Sequence, residues 1–381
     1  MRLPCKKNWP GILCLPVLLL LSSCSIPYYT SAGYHQFRIL ISRKSIETTL
    51  KDDTTPPALK EKLLITKQAR EYAVEAGLDP KKTFLTHATR KNIPTIWVLT
   101  AAEKFKLEPY LWNFPVIGAL PYKGFFSKKD ANKEKETLIK NGYDVSLRTT
   151  AAYSTLGWFN DPVMPSTLLL DELSLFNTVV HEITHTTLWI PGSTSFNETM
   201  ANTIGLLGTL DFYSNKITEE HEHSENSLRN ALKAKEQFLK ECNYSLLFQQ
   251  TSHALTALYS SDLPDSKKDE EKKRIYSELG IEPNNALFLG HFTYLDRFYL
   301  FIELFLLKKD MKSYLKALDE ITHSGKVEVP YEALADYLGT MENIPSPSSQ
   351  EKCIEASKIF FNADELTENK TTGTDSIPHD A

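Results

Sequence analysis

The spacing of apolar positions changes character several times along the chain. From Pro57 to Gly77, "ALKEKLLITKQAREYAVEAG" repeats apolar residues at helical spacing, keeps its charges on the outer face, and meets a stop signal at Gly77. Between residues 94 and 126 the runs "PTIWVLTAAEKF" and "YLWNFPVIGALPYKGFF" are aromatic and β-branched with turn residues between them, which predicts strands. A short polar helix, "KKDANKEKETLIKNG", closes at Gly142, and "YDVSLRTTAAYSTLGWF" returns to strand. Beyond "NDPVMPS" the chain reads as helical, with "KITEEHEHSENSLRNALKAKEQFLKEC" the longest such run. The charged stretch "DSKKDEEKKR" is expected to be a solvated helix face or a loop. The apolar run "FYLFIELFLL" is about half the length of a membrane helix and is interrupted by Glu303. From about Asn362 the Thr-, Asp- and Asn-rich tail is expected to be disordered. The pattern contains no internal repeat. It predicts an α+β fold with a mixed sheet in the N-terminal half and a mainly helical C-terminal half, spanning residues 57–361.

The first residues follow a different logic. Arg2, Lys6 and Lys7 form a positive segment, and Ile12 to Leu21 is apolar but too short to span a bilayer. "LSSC" follows, ending at Cys24. Small residues before a cysteine here resemble a bacterial lipoprotein signal, in which residues 1–23 are cleaved and Cys24 becomes a lipidated N-terminus. A general secretory signal with an incidental cysteine is the plainer alternative. Residues 24–56 would then be an anchor and linker, and the acyl chains would hold a soluble domain on membrane lipid in the bacterial cell envelope, with the periplasmic face expected.

Composition narrows the classes further. Hydrophobic residues at 41% and charged residues at 24% describe an ordinary globular chain, so a disordered or collagen-like protein is excluded. Net charge is −5, and cleavage would remove three of the 43 basic residues and none of the 48 acidic ones, leaving −8. Nothing in that balance suggests a nucleic-acid partner. Of the cysteines, only Cys242 and Cys353 remain as thiols after such processing. They could pair in an oxidising compartment or sit apart in the core, and neither belongs to a C-x-x-C zinc motif.

The chemistry concentrates in "VVHEITHTTLWIPGSTSFNETMAN", residues 179–202. His181 and His185 stand at i and i+4, so on a helix their imidazoles leave the same face about one turn apart. That separation suits two nitrogens converging on one zinc ion at roughly 2.0–2.1 Å. Glu182 is rotated off that axis and can reach an attacking water instead of the metal, as a general base must. The plainer reading is two histidines on an ordinary helix. Zinc requires a third protein ligand, and a metzincin would place glycine at 188 and histidine at 191, where this chain has Leu188 and Pro191. Pro191-Gly192 ends the helix, and a chain turning back would bring Glu198 to the histidines. Ser195-Phe-Asn-Glu198 also fits the S-x-x-E capping box, which would give Glu198 a structural role instead.

Five blocks in order, "FPVIGALPYKGFF", "AYSTLGWFNDP", "HEITHTTLW", "FNETMAN" and "NNALFLGHFTY", resemble a family of bacterial lipoproteins described as predicted aminopeptidases. The resemblance runs from about residue 25 to 325. It implies a zincin-like α+β metallopeptidase of the gluzincin kind, with His181, His185 and Glu198 as Zn2+ ligands, Glu182 as general base and a peptide as substrate. One departure concerns spacing: Glu198 follows His185 sooner than in thermolysin-like enzymes, so the second helix should begin early.

Other roles are more open. Peptide hydrolysis develops an oxyanion that needs a hydrogen-bond donor, and Tyr153, Tyr294 and His291 lie in the matched blocks, Tyr294 being favoured. In zincins an edge strand before the motif helix pairs with extended substrate, a role that falls on Ala152 to Gly157 and chiefly on Tyr153, Ser154 and Thr155. Asn197, Asn202 and Asn285 are candidates to orient the ligands. No G-x-M-E-N amine anchor occurs, so exopeptidase and endopeptidase activity stay open. Two other functions compete: hydrolysis of a non-peptide amide, and an envelope scaffold with structural zinc, in which Glu182 would have no purpose.

Overall fold

The computed structural model describes residues 26–89, 95–114, 118–150, 160–219, 225–323, 329–339 and 348–360. The N-terminal half alternates short elements: α1 (Ile26–Ile41), β1 (Arg43–Ser45), α2 (Ile46–Lys51), α3 (Pro57–Ala76), β2 (Thr86–Ala88), β3 (Trp97–Ala102), β4 (Trp112–Phe114), β5 (Gly118–Leu120), β6 (Tyr122–Phe125), α4 (Lys128–Lys140) and β7 (Asp144–Thr149). The remainder is helical: α5 (Glu172–Thr187), α6 (Thr194–Glu219), α7 (Glu225–Tyr259), α8 (Asp265–Leu279), α9 (Asn285–Phe292), α10 (Phe298–Lys308), α11 (Met311–Thr322), α12 (Pro330–Leu338) and α13 (Ser348–Phe360). Helix α3 ends at Gly77, whose φ of 111° supplies the left-handed cap that the sequence marks there.

The division into a strand-bearing half and a helical half agrees with the α+β expectation. Among the described residues the expected mixed sheet does not form. The strands make three small antiparallel sheets, β1-β2, β6-β3-β7 and β4-β5, and the one parallel pairing among the described residues is an isolated bridge between His87 and Val163. The reason lies in the path of the chain. Helix α4 carries it from β6 to the far side of β3, so both outer strands run against β3 and do not touch each other.

The central sheet has two different faces. Leu99, Ala101, Val145 and Phe125 pack with Ala131 and Leu138 of α4 into a small core. Strand alternation sends Thr100, Ser146 and Arg148 to the opposite face, toward α9, where the Thr100 hydroxyl donates to the Ala286 carbonyl at 3.4 Å. Within the segment expected as anchor and linker, Ile39 and Ile46 are buried and β1 pairs with β2, so residues 26–52 belong to the folded body.

The main core joins α3, α5, α6 and α10 to α13. Close approach of α5 to α6 depends on Gly205, where an added Cβ would lie 2.5 Å from Asn177 Oδ1 and 3.1 Å from its carbonyl oxygen. A disulfide between Cys242 and Cys353 ties α7 to α13, resolving the two open readings of those cysteines in favour of pairing. No helix of the described residues is long and apolar enough to cross a membrane.

Candidate metal centre

Helix α5 starts at Asp171, whose side chain accepts a hydrogen bond from the Ser174 N–H at 3.1 Å. Leu173, Phe176, Val179, Val180 and Ile183 are buried and fix the rotation of the helix about its axis. That rotation directs His181 and His185 to one side, toward α6. Loop 188–193 then reverses the chain. Leu188 and Ile190 are buried, Gly192 takes the left-handed φ of 82°, and Asn197 closes the loop. The Asn197 side-chain oxygen Oδ1 accepts from the Ile190 N–H at 3.0 Å, while its Nδ2 donates to the Ile190 carbonyl at 2.7 Å. Helix α6 begins at Thr194, early as the spacing requires, and presents Glu198 to the histidines.

His181 Nε2 lies 3.2 Å from His185 Nε2 and 3.2 Å from Glu198 Oε2, and His185 Nε2 lies 3.6 Å from the same oxygen. Ligand atoms about 2.0–2.1 Å from one tetrahedral ion stand roughly 3.3–3.4 Å apart. The three separations bracket that value, and together these residues could hold a divalent metal ion. The S-x-x-E capping box would need Ser195 at the helix N-cap, and the helix already begins at Thr194. Ser195 lies inside the helix, and its hydroxyl donates to Asp296 Oδ2 at 3.2 Å.

The residues of the cluster act strongly on one another's charge. Burial alone would depress the His181 pKa, but the hydrogen bond and charge of Glu198, with the charge of Glu182, raise it above the usual value. Burial likewise opposes ionisation of Glu198, yet hydrogen bonds from His181 and His185 hold its carboxyl well below the usual range. A metal bound there would displace any proton that these residues hold. Trp189 and His185 pack edge to face with ring centroids 5.5 Å apart, and His185 Nδ1 is buried with no hydrogen-bond partner among the described residues. Glu182, the next residue after His181, exerts its charge on both His181 and Tyr294.

Tyr294 sits beside the cluster, its ring centroid 6.0 Å from that of His181. Three α6 side chains at helical spacing hold its turn. Ser195 bonds Asp296, the Thr199 hydroxyl donates to the Thr293 carbonyl at 3.1 Å, and the Asn202 amide donates to the Tyr294 carbonyl at 3.0 Å. Burial, then the charge of Glu198, pushes the Tyr294 phenol above its ordinary range. It stays protonated at neutral pH and is a hydrogen-bond donor.

Other sequence candidates land elsewhere. His291 packs near Phe248, with centroids 6.0 Å apart, and burial lowers its pKa. Asn285 is not at the ligands. Its oxygen accepts from Tyr259 and Tyr276, both at 2.8 Å, and its amide donates to the carbonyls of Glu103, Lys104 and Lys106. Asn197 and Asn202 act on backbone, as described, and not on the histidines. Tyr153, Ser154, Thr155 and Cys24 lie outside the described residues. Sequence reasoning passed over Arg148, whose charge acts on both Tyr294 and His291. Its signal was the alternation in "DVSLRT", which puts Asp144, Ser146 and Arg148 on one face of a strand.

No curated protein and no solved structure shows significant similarity to the chain. Residues 27–285 match the model of a family described as "putative aminopeptidase". The match covers more than half of the chain and takes in the whole His181–His185–Glu198 cluster, so the protein belongs to that putative aminopeptidase family.

Proposed function

We propose that this protein is a zinc-dependent metallopeptidase of the aminopeptidase type, held at a membrane by lipid on Cys24. The observation that carries the reading is the mutual spacing of the His181, His185 and Glu198 ligand atoms, with Glu182 adjoining on the same helix. Two imidazoles and one carboxylate form the ligand set of catalytic zinc centres that keep a position open, whereas structural zinc is usually enclosed by four protein ligands. Zinc held there supplies Lewis-acid polarisation of the scissile carbonyl and eases deprotonation of water.

The chain's own residues complete the chemistry. Glu182 takes a proton from the attacking water as the new C–O bond forms, then delivers it to the departing amine as the C–N bond breaks. The protonated Tyr294 phenol donates a hydrogen bond to the oxyanion that develops between these events. Residues Tyr153, Ser154 and Thr155 follow closely on β7, an outer strand of its sheet, and we assign them to pairing with extended substrate backbone.

Metal analysis with a hydrolysis assay tests the proposal. The purified protein should carry one zinc per chain, lose peptide hydrolysis on chelation and regain it when zinc is restored. Bound zinc with no hydrolysis of any peptide would favour a scaffold, and hydrolysis confined to non-peptide amides would change the substrate class.

A further inference from the structure

The charge of Arg148 reaches Tyr294, which packs beside His181, and among the described residues no acidic side chain pairs with Arg148. Arg148 lies near the end of β7, on the sheet face turned toward α9. Its guanidinium carbon is 4.0 Å from where a Cβ on Gly290 would be, so the head group lies against α9 at Gly290. Four residues further on is Tyr294, which packs beside His181. No carboxylate among the described residues forms an ion pair with Arg148, whereas Lys123, Lys104 and Arg274 each have one. The carboxylates whose charge reaches Tyr294 are Glu198 and Glu182, and both already have roles as ligand and base.

A part-buried guanidinium normally recruits a carboxylate or phosphate, because losing water without a counter-charge is unfavourable. We infer that Arg148 is a specificity residue of this site, binding a carboxylate of the substrate beyond Tyr294. This rests on the metallopeptidase reading and names the substrate class: short peptides bearing a carboxylate near the cleaved bond. The carboxylate can be the C-terminus of a di- or tripeptide or an acidic side chain. An arginine is suited to either, since its planar fork meets both carboxylate oxygens at once. Burial and then the same charge lower the His291 pKa, and the charge opposes the upward push on Tyr294.

The experiment compares matched substrates on the zinc-loaded wild type and on Arg148→Gln. One pair is a tripeptide as free acid and as C-terminal amide. The other is an amidated peptide with Glu or Gln next to the cleaved bond. The wild type should favour the carboxylate member of one pair by about 10-fold or more in kcat/KM, and Arg148→Gln should bring that ratio close to one. Arg148→Lys should keep part of the preference. The pair that responds identifies the source of the carboxylate. A wild-type ratio near one in both pairs, or a ratio that Arg148→Gln leaves intact, overturns the inference. Calorimetric binding of the same four peptides to the Glu182→Gln protein, with and without Arg148→Gln, gives a second readout. It separates failure of the carboxylate site from failure of the peptidase reading: Arg148-dependent binding of the carboxylate member would stand even if the wild type hydrolysed none of the peptides.

Discussion

Lys272 and His185 are both buried polar side chains on helices, and their surroundings differ completely. Lys272 donates to Asp144 Oδ2 at 2.5 Å and to the Lys104 carbonyl at 2.9 Å. Asp144 also accepts from the Asn285 backbone N–H at 2.8 Å, and Asn285 in turn saturates its own amide with two tyrosines and three carbonyls. Donors and acceptors balance within the protein, and the network fastens the sheet to α7, α8 and α9. Around His185 they do not balance. Two imidazole nitrogens and a carboxylate oxygen converge, and a shared metal ion would satisfy all three at once. A satisfied network holds structure, whereas the His181–His185–Glu198 cluster gathers three ligand atoms that a metal ion could share.

Mutations should divide along that line. The largest effect is expected at the ligands: His181→Ala or His185→Ala should abolish stoichiometric zinc, measured by metal analysis, while cooperative unfolding persists. Zinc retained at one equivalent in either variant would remove that residue from the ligand set. At the other cluster, Lys272→Met leaves Asp144 largely buried and without its counter-charge. It should cost about 3–5 kcal/mol in denaturant unfolding while zinc content stays at one equivalent. If it lowered zinc content and left stability alone, the division between the clusters would collapse.

Overpacking the support of the metal centre should matter less. Gly205→Ala forces Asn177 to shift between α5 and α6, and about 1–3 kcal/mol of lost stability is expected from thermal or denaturant unfolding.

The smallest effect is the pH response of the metal-free protein. His181 is raised above 6.5, so its contribution is complete below the unfolded value and is lost as pH rises through the folded pKa. Glu198 is depressed below 4.5, so its contribution is complete above that value and is lost as pH falls through the folded pKa. The pair therefore stabilises the metal-free protein most between these two values. Zinc requires neutral histidine, so its affinity should fall as pH drops through the raised His181 pKa. A zinc titration series across pH checks the direction.

The same comparison explains what the sequence made legible. The two histidines and Glu182 could be read because helix geometry is local, and i, i+4 spacing translates directly into a shared face. Glu198 was ambiguous because a capping box and a ligand after a turn look alike in sequence. What separated them was the fold-back of loop 188–193, closed by Asn197. The Lys272 network was out of reach because its partners lie far apart: Asp144 is 128 positions from Lys272 and 141 from Asn285. The run "DSKKDEEKKR" was expected to be solvated, and Lys267, Lys273 and Arg274 do form exposed pairs with neighbouring acids. Lys272 is the exception, since helical spacing sets it on the buried stripe with Ile275, Tyr276 and Leu279. That stripe was visible, but charge composition concealed it. The expected mixed sheet failed for a related reason: strand content is local, whereas strand order depends on where α4 takes the chain.

The central claim, that the converging cluster serves hydrolysis and not structure, rests most directly on Glu182. Glu182→Gln keeps size and polarity but cannot accept a proton at neutral pH. Zinc content and substrate binding should stay close to wild type while peptide turnover falls by at least roughly 10²-fold. Full turnover on every substrate the wild type cleaves, with zinc still bound, would contradict the account.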